Sequence, residues 1–203
     1  MKLSKRLNTI YNKIDKTKNI IDVGCDHGLI DIKYVLETSN KAVATDISEN
    51  AINSAKSNAL KENVLDKIDF IVTNGLDNIK LNNEDIIISG MGSNTIVNIL
   101  NKNITNRLII STHKDIPYLR RKLVDYNYKI ESETAIFDKK WYVIITFIKG
   151  SSNYDEVDYL VGPYLKSDIN YINYLLNKEI EIIIKSKKET DLYKILVNLK
   201  NTI

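Results

Sequence analysis

Two short segments hold most of the side chains in this sequence that could do chemistry. Asp22-Val23-Gly24-Cys25-Asp26-His27-Gly28 packs two carboxylates, an imidazole and two glycines into seven positions. Ser89-Gly90-Met91-Gly92 sets two glycines around a methionine. Gly24 lets the backbone turn and approach a ligand closely. Asp46 follows it by 22 positions, close to the roughly 20 expected of a carboxylate that holds the two hydroxyls of a ribose. Ile47 adjoins it. Asn74, followed by Gly75, can offer an amide to an adenine edge. Gly90 and Gly92 would keep the floor free of side chains where a base must lie. Taken singly, the glycines could serve tight turns alone; with Asp46 at this spacing they read as a nucleoside site.

The elements that must position these residues follow from periodicity. Short apolar runs at 19–23, 42–45, 68–73, 85–89 and 107–111 have the length and Ile/Val content of buried strands. Between them, 28–36, 49–60, 94–100 and 116–125 have helical spacing, with Ser48 and Asp115 as expected N-caps. Alternation of this kind predicts a parallel sheet with right-handed crossovers. Ligands of such sheets bind outside the carboxyl ends of the strands, where both segments, Asp46, Asn74 and Ser111-Thr112-His113 fall. Five of the seven glycines and both histidines lie at these ends. The first turn lacks G-x-G-x-x-G, so a dinucleotide fits poorly. A single nucleoside with a small charged tail, S-adenosylmethionine, fits better.

After residue 126 the pattern changes. Strands at 129–136 and 141–148 flank the turn Phe137-Asp138-Lys139-Lys140, a connection short enough to force antiparallel pairing. Gly150-Ser151-Ser152-Asn153 predicts a boundary. Residues 1–150 are thus expected to form the cofactor-binding catalytic domain. Residues 151–203 are expected to form a helical hairpin, with apolar stripes on 168–187 and on Leu192, Ile195, Leu196 and Leu199. The fold class is α/β.

Composition sets outer limits. The chain has 203 residues, 33 of them Ile, 25 Lys and 24 Asn, a bias that an AT-rich genome explains and that makes lysine abundance weak support for a nucleic-acid partner. Net charge is only +3, but residues 1–18 carry six basic side chains against Asp15, and Arg120-Arg121-Lys122 form a second cluster. Arginine binds phosphate bidentately, so Arg6, Arg120 and Arg121 are candidate polyanion contacts. No apolar run approaches the roughly 18 residues of a membrane span, and the N-terminus lacks an apolar signal core. The single cysteine excludes an internal disulfide and a thiol-rich zinc site. The expectation is a cytoplasmic monomer without metal.

The residues are specific enough to carry a resemblance. Strands and helices ending in an antiparallel hairpin resemble the Rossmann-like sheet of class I methyltransferases. Within that class the chain resembles the bacterial tRNA methyltransferases that modify N1 of adenine 22. Leu3-Ser4-Lys5-Arg6-Leu7 is similar to the family's L-S-x-R-L opening and Asp22–His27 to its D-I-G-[ST]-D-H signature. Ser89–Gly92 is similar to its A-G-M-G, and Val161-Gly162-Pro163-Tyr164-Leu165 to its F/V-G-P-x-L segment. The resemblance implies an S-adenosylmethionine pocket lined by Asp22, Gly24, Cys25, Asp46, Ile47, Asn74, Gly75, Gly90 and Met91. It implies that Asp26, His27 and the Gly90-Met91-Gly92 loop face the target base. Asp26 and His27 are the candidate catalytic groups, and Gly92 and His113 are candidate tRNA contacts beside the basic residues. The sequence departs from the family in three places. Asn74 stands where Asp is usual, Ser111-Thr112-His113 replaces Q-P-N, and Trp141-Tyr142 replaces Tyr-Glu. A class I methyltransferase with another substrate and a non-catalytic RNA-binding relative are the alternatives.

Overall fold

The computed structural model describes residues 2–100 and 103–203; Met1 and residues 101–102, inside the expected catalytic segment, lie outside the described residues. Helix α1 (Lys5–Lys13) opens the chain, with the Ser4 hydroxyl accepting from the Leu7 amide at 3.3 Å. Strand β1 (Ile20–Val23), helix α2 (Leu29–Glu37), strand β2 (Ala42–Asp46) and helix α3 (Glu49–Lys61) follow. Then come β3 (Ile68–Val72), β4 (Asp85–Ser89), α4 (Ser93–Ile99), β5 (Leu108–Thr112) and α5 (Ile116–Asp125). The sheet closes with β6 (Tyr128–Asp138) and β7 (Lys140–Lys149). The seven strands run in the order β3-β2-β1-β4-β5-β7-β6, with β7 antiparallel to both neighbours. This is the expected α/β sheet.

Consecutive strand residues feed opposite faces, as the strand period of two requires. Ile86, Ile88 and Ile110 join the cluster that includes Ile96, Leu119 and Leu123, whereas Ile87 and Ile109 join the one that includes Ile10, Tyr34 and Ile52. Helices on both faces explain why Ile86-Ile87-Ile88 reads as an unbroken apolar run. Each such side chain contributes about 1.5–3 kcal/mol on burial.

Two features differ from expectation, and a third concerns packing that the sequence leaves open. The β6–β7 turn is tighter than four residues: Asp138 pairs with Lys140 around Lys139, which takes a left-handed φ of 63°. A short helix, α6 (Glu156–Leu160), precedes the C-terminal pair, and a capping box between Asp155 and Asp158 starts it. Finally, α7 (Ile169–Ser186) and α8 (Asp191–Thr202) do not keep a core to themselves. Tyr171, Ile172, Leu176 and Leu196 share one cluster with Leu119, Tyr128 and Phe147 of the sheet unit, so apolar packing runs across the expected boundary near 150. Among the described residues no helix is long and apolar enough to cross a membrane.

Candidate active site

The chain leaves β1 at Val23 and turns at Gly24, whose φ is +77°. The amides of Gly24 and Cys25 both donate to the Thr45 carbonyl, at 2.8 and 2.9 Å, which ties this turn to β2. A Cβ at Gly24 would collide with Met91. Across the turn, Asp46 accepts from the Asp26 amide at 3.3 Å and from the Ser48 amide at 2.9 Å. The Ser48 hydroxyl accepts from Ala51, so Ser48 is the expected cap of α3. Asp26 does not cap α2. Gly28 is the N-cap, without a side-chain bond, and the Asp26 side chain is 73% exposed with its carboxylate 3.7 Å from His27 Nε2. His27 is fastened to α3 at two points: Nδ1 lies 2.8 Å from Ser54 Oγ, and its carbonyl accepts from Asn58 at 3.1 Å.

These residues surround a cavity of about 310 Å3 at the switch point where β2 and β4 diverge from β1. Asp22, Gly24, Cys25, Asp46, Gly90 and Met91 line it together with Asp26, His27 and Arg6. Thr112 Oγ1 donates to the Met91 carbonyl at 3.0 Å, and Ser93 Oγ to the Lys114 carbonyl at 2.5 Å. The unusual Ser111-Thr112-His113 segment therefore braces the glycine loop.

Sequence reasoning missed Leu7, Leu29, Ile30 and Ser89 in the lining, and the buried Asp31 that pairs with Asp22. Asp22 and Asp31 are both buried. Counted as carboxylates, Asp22 Oδ1 and both Asp31 oxygens have no donor among the described residues; a proton shared between the two carboxyls supplies one. Burial pushes Asp31 well up, and the Asp22 charge adds to it. Burial also pushes Asp22 up, to about 7, against the pull of the Asp31 hydrogen bond and of Arg6. A protonated Asp31 thus donates to an Asp22 that titrates near neutrality on the pocket floor. That arrangement fits a cationic group above it. The signal for Asp31 was an acid between two isoleucines, Ile30 and Ile32, at the start of a helical segment. Burial and its carboxylate neighbours push the Cys25 thiol up, so it stays protonated and contributes its backbone.

Other expected residues fall elsewhere. Asn74 borders a second cavity of about 270 Å3 with Leu76, Thr95 and Asn98. Gly75 is held by its carbonyl, which accepts from Thr45 Oγ1 at 3.3 Å, and a Cβ there would meet Ile99. Ile47 is 73% exposed on the rim, and Gly92 is the N-cap of α4. His113 sits past the end of β5 with Nε2 3.0 Å from Lys140 Nζ.

Arg120 corrects an expectation. It is 0% exposed, so as placed it cannot reach a phosphate. Its Nε donates to Glu133 at 2.8 Å, and its Nη1 and Nη2 donate to the Tyr159 and Val161 carbonyls at 2.9 and 3.0 Å, closing the end of α6. Gly162 leaves room for this pair, since a Cβ there would collide with both Glu133 and Arg120. Arg121 is partly exposed but already paired with Glu156.

Residues 3–145 match the family described as "Methyltransferase domain". The tRNA (adenine(22)-N(1))-methyltransferase of Bacillus subtilis (strain 168) is 30% identical over 186 residues, covering 85% of this chain and 78% of that protein. The chain belongs to the tRNA (adenine(22)-N(1))-methyltransferase family. A member from M. capricolum, solved with the cofactor product S-adenosyl-homocysteine, has a TM-score of 0.85 and 28% identity, covering 98% of this chain and 94% of that one. A bifunctional methyltransferase of Rickettsia bellii is 43% identical over 75 residues. The match covers 36% of this chain and spans 14% of that longer protein.

Proposed function

We propose that this chain transfers a methyl group from S-adenosylmethionine to N1 of adenine 22 in tRNA. The observation that carries the reading is the cavity at the β1–β4 switch point. It brings Asp46, the glycine turn and Asp22 into one lining with an exposed Asp26. When bound, S-adenosylmethionine supplies an electrophilic methyl on a sulfonium. Asp46 holds the ribose hydroxyls, Asp22 faces the cationic tail, and Gly90 and Met91 form the floor. Adenine N1 has a lone pair at neutral pH, so the protein mainly orients it, and orientation can be worth about 7–11 kcal/mol. The Asp26 carboxylate accepts a hydrogen bond from the exocyclic amine and offsets the charge that develops on the ring. N1 lies on the Watson–Crick edge, so the base must leave its stack. A tRNA substrate places the protein in the cytoplasm.

Labelled-methyl transfer to unmodified tRNA tests the reading: wild type labels it, and tRNA with guanine at position 22 stays unlabelled. Label in the guanine variant would refute the target. Asp26→Ala is expected to lower kcat by roughly tenfold to a hundredfold, with cofactor affinity kept, because it removes a charge needed mainly in the transition state. Unchanged kcat would remove Asp26 from the mechanism.

The carboxyl pair predicts a pH dependence. Asp22 is neutral below about pH 7 and charged above it. Affinity for a cationic cofactor therefore rises with pH up to about 7, by at most about tenfold per pH unit, and levels off above. Without cofactor the sign for stability is opposite. Both folded-state values are raised, so the Asp22 contribution is present below about pH 4 and is lost as pH rises through about 7, and the raised Asp31 acts in the same direction. Calorimetric titration between pH 6 and 8 reads the affinity window. Asp31→Leu removes the donor to Asp22 and moves the window upward, whereas Asp31→Asn keeps a donor and holds it. Identical profiles for both variants would dismiss the shared proton.

A further inference from the structure

A cluster of cations sits on the rim of the pocket around Tyr142. The Arg6 guanidinium lies 5.0 Å from the ring centroid and the Lys140 ammonium 5.2 Å from it. His113 meets the same ring edge-on at 5.5 Å. Three elements converge here: α1, the strand-five loop and the start of β7. Burial lowers the His113 pKa, and the charges of Lys140, Lys114, Lys178 and Arg6 around it lower it further. An ammonium can only donate, so the His113 Nε2 accepts from Lys140 at 3.0 Å.

Cations gathered this closely ordinarily bring carboxylates with them. Among the described residues, neither Arg6 nor Lys140 makes an ion pair with a side chain, and Arg6 Nη1 is buried without a hydrogen-bond partner. The adjacent carboxylate, Asp138, is occupied: it accepts from the Arg6 amide at 2.9 Å and from the Ser4 hydroxyl, fastening the hairpin tip to the start of α1. Asp22 faces Arg6 from the pocket floor, with Asp31 as its partner. The Tyr142 position is the one where the family resemblance led us to expect a carboxylate. What remains is a net positive site sharing Arg6 with the reaction pocket.

We propose that Arg6 and Lys140, gathered on Tyr142, bind a backbone phosphate of the RNA next to the target adenine, with His113 as the positioning residue that aims Lys140. The assignment rests on the tRNA reading above. A base turned out of its stack keeps a phosphodiester on either side, and phosphate contacts fix the register of a bound nucleic acid. Arg6 both lines the reaction pocket and lies over Tyr142, so a phosphate held there adjoins the site of the reacting base. Lys140 is exposed at the hairpin tip, so replacing it leaves the core untouched.

The test compares tRNA binding by wild type and Lys140→Gln across a salt series, with methyl transfer and cofactor affinity measured alongside. Lys140→Gln is expected to raise the tRNA Kd and KM about tenfold and leave cofactor affinity unchanged. It should also flatten the slope of log Kd against log salt by about 0.7–0.9, the contribution of one phosphate contact. His113→Leu reproduces part of the loss, and His113→Gln, whose amide oxygen can accept from Lys140, restores it. Wild-type activity on tRNA with an unchanged Kd and salt slope in Lys140→Gln would overturn the subsite alone. A wild type that neither binds nor methylates tRNA would overturn the functional reading and the subsite together.

Discussion

Arg120→Ala is expected to destabilise the folded chain by about 3–5 kcal/mol, a large share of the stability of a domain this size. The side chain is wholly buried, and removing it strands the Glu133 carboxylate and frees the carbonyls at the end of α6. Burial already pushes Glu133 up against the pull of Arg120 and of the Tyr164 amide, so the stranded group takes up a proton. Most of the cost comes from leaving one partner unpaired, so Arg120→Met combined with Glu133→Leu should recover much of it. Urea unfolding reads both variants. The salt slope of tRNA binding should not change in the double variant. Retained stability with weakened tRNA binding would return Arg120 to the RNA surface.

Asp46→Ala is expected to weaken S-adenosylmethionine binding by about 3 kcal/mol, on the order of a hundredfold. Each charge-assisted hydrogen bond to a ribose hydroxyl contributes about 1.5–3 kcal/mol. The lower end of the sum applies because Asp46 already accepts from Asp26 and Ser48 and must share its oxygens. Asp46→Asn keeps one acceptor and should lie between the two. Because Asp46 stands at the rim, unfolding should move little. A calorimetric Kd within threefold of wild type would place the ribose elsewhere.

The fold was legible because its strands announce themselves. Ile86-Ile87-Ile88 can be buried on both sides only in a sheet covered by helices, and the hairpin after residue 126 left no room for a crossover. The pocket was legible through scarcity, since glycine was needed where φ is positive or a Cβ would collide, as at Gly24 and Gly90. Residues whose role depends on long-range partners were not legible. Arg120 and Arg121 look alike in sequence, yet one meets Glu133 in the core and the other meets Glu156 near the surface. Asp31 acts through Asp22, and Lys140 through a ring and an imidazole two and 27 positions away. Such pairings are made by the sheet order, which local periodicity does not encode.

Nucleoside analysis of unmodified tRNA after incubation with the wild-type chain and S-adenosylmethionine tests the central claim most directly. The account predicts one new product, 1-methyladenosine at position 22, and its loss in Asp46→Ala at limiting cofactor. A methyl group on N6, on another nucleotide, or on no nucleotide at all would contradict it.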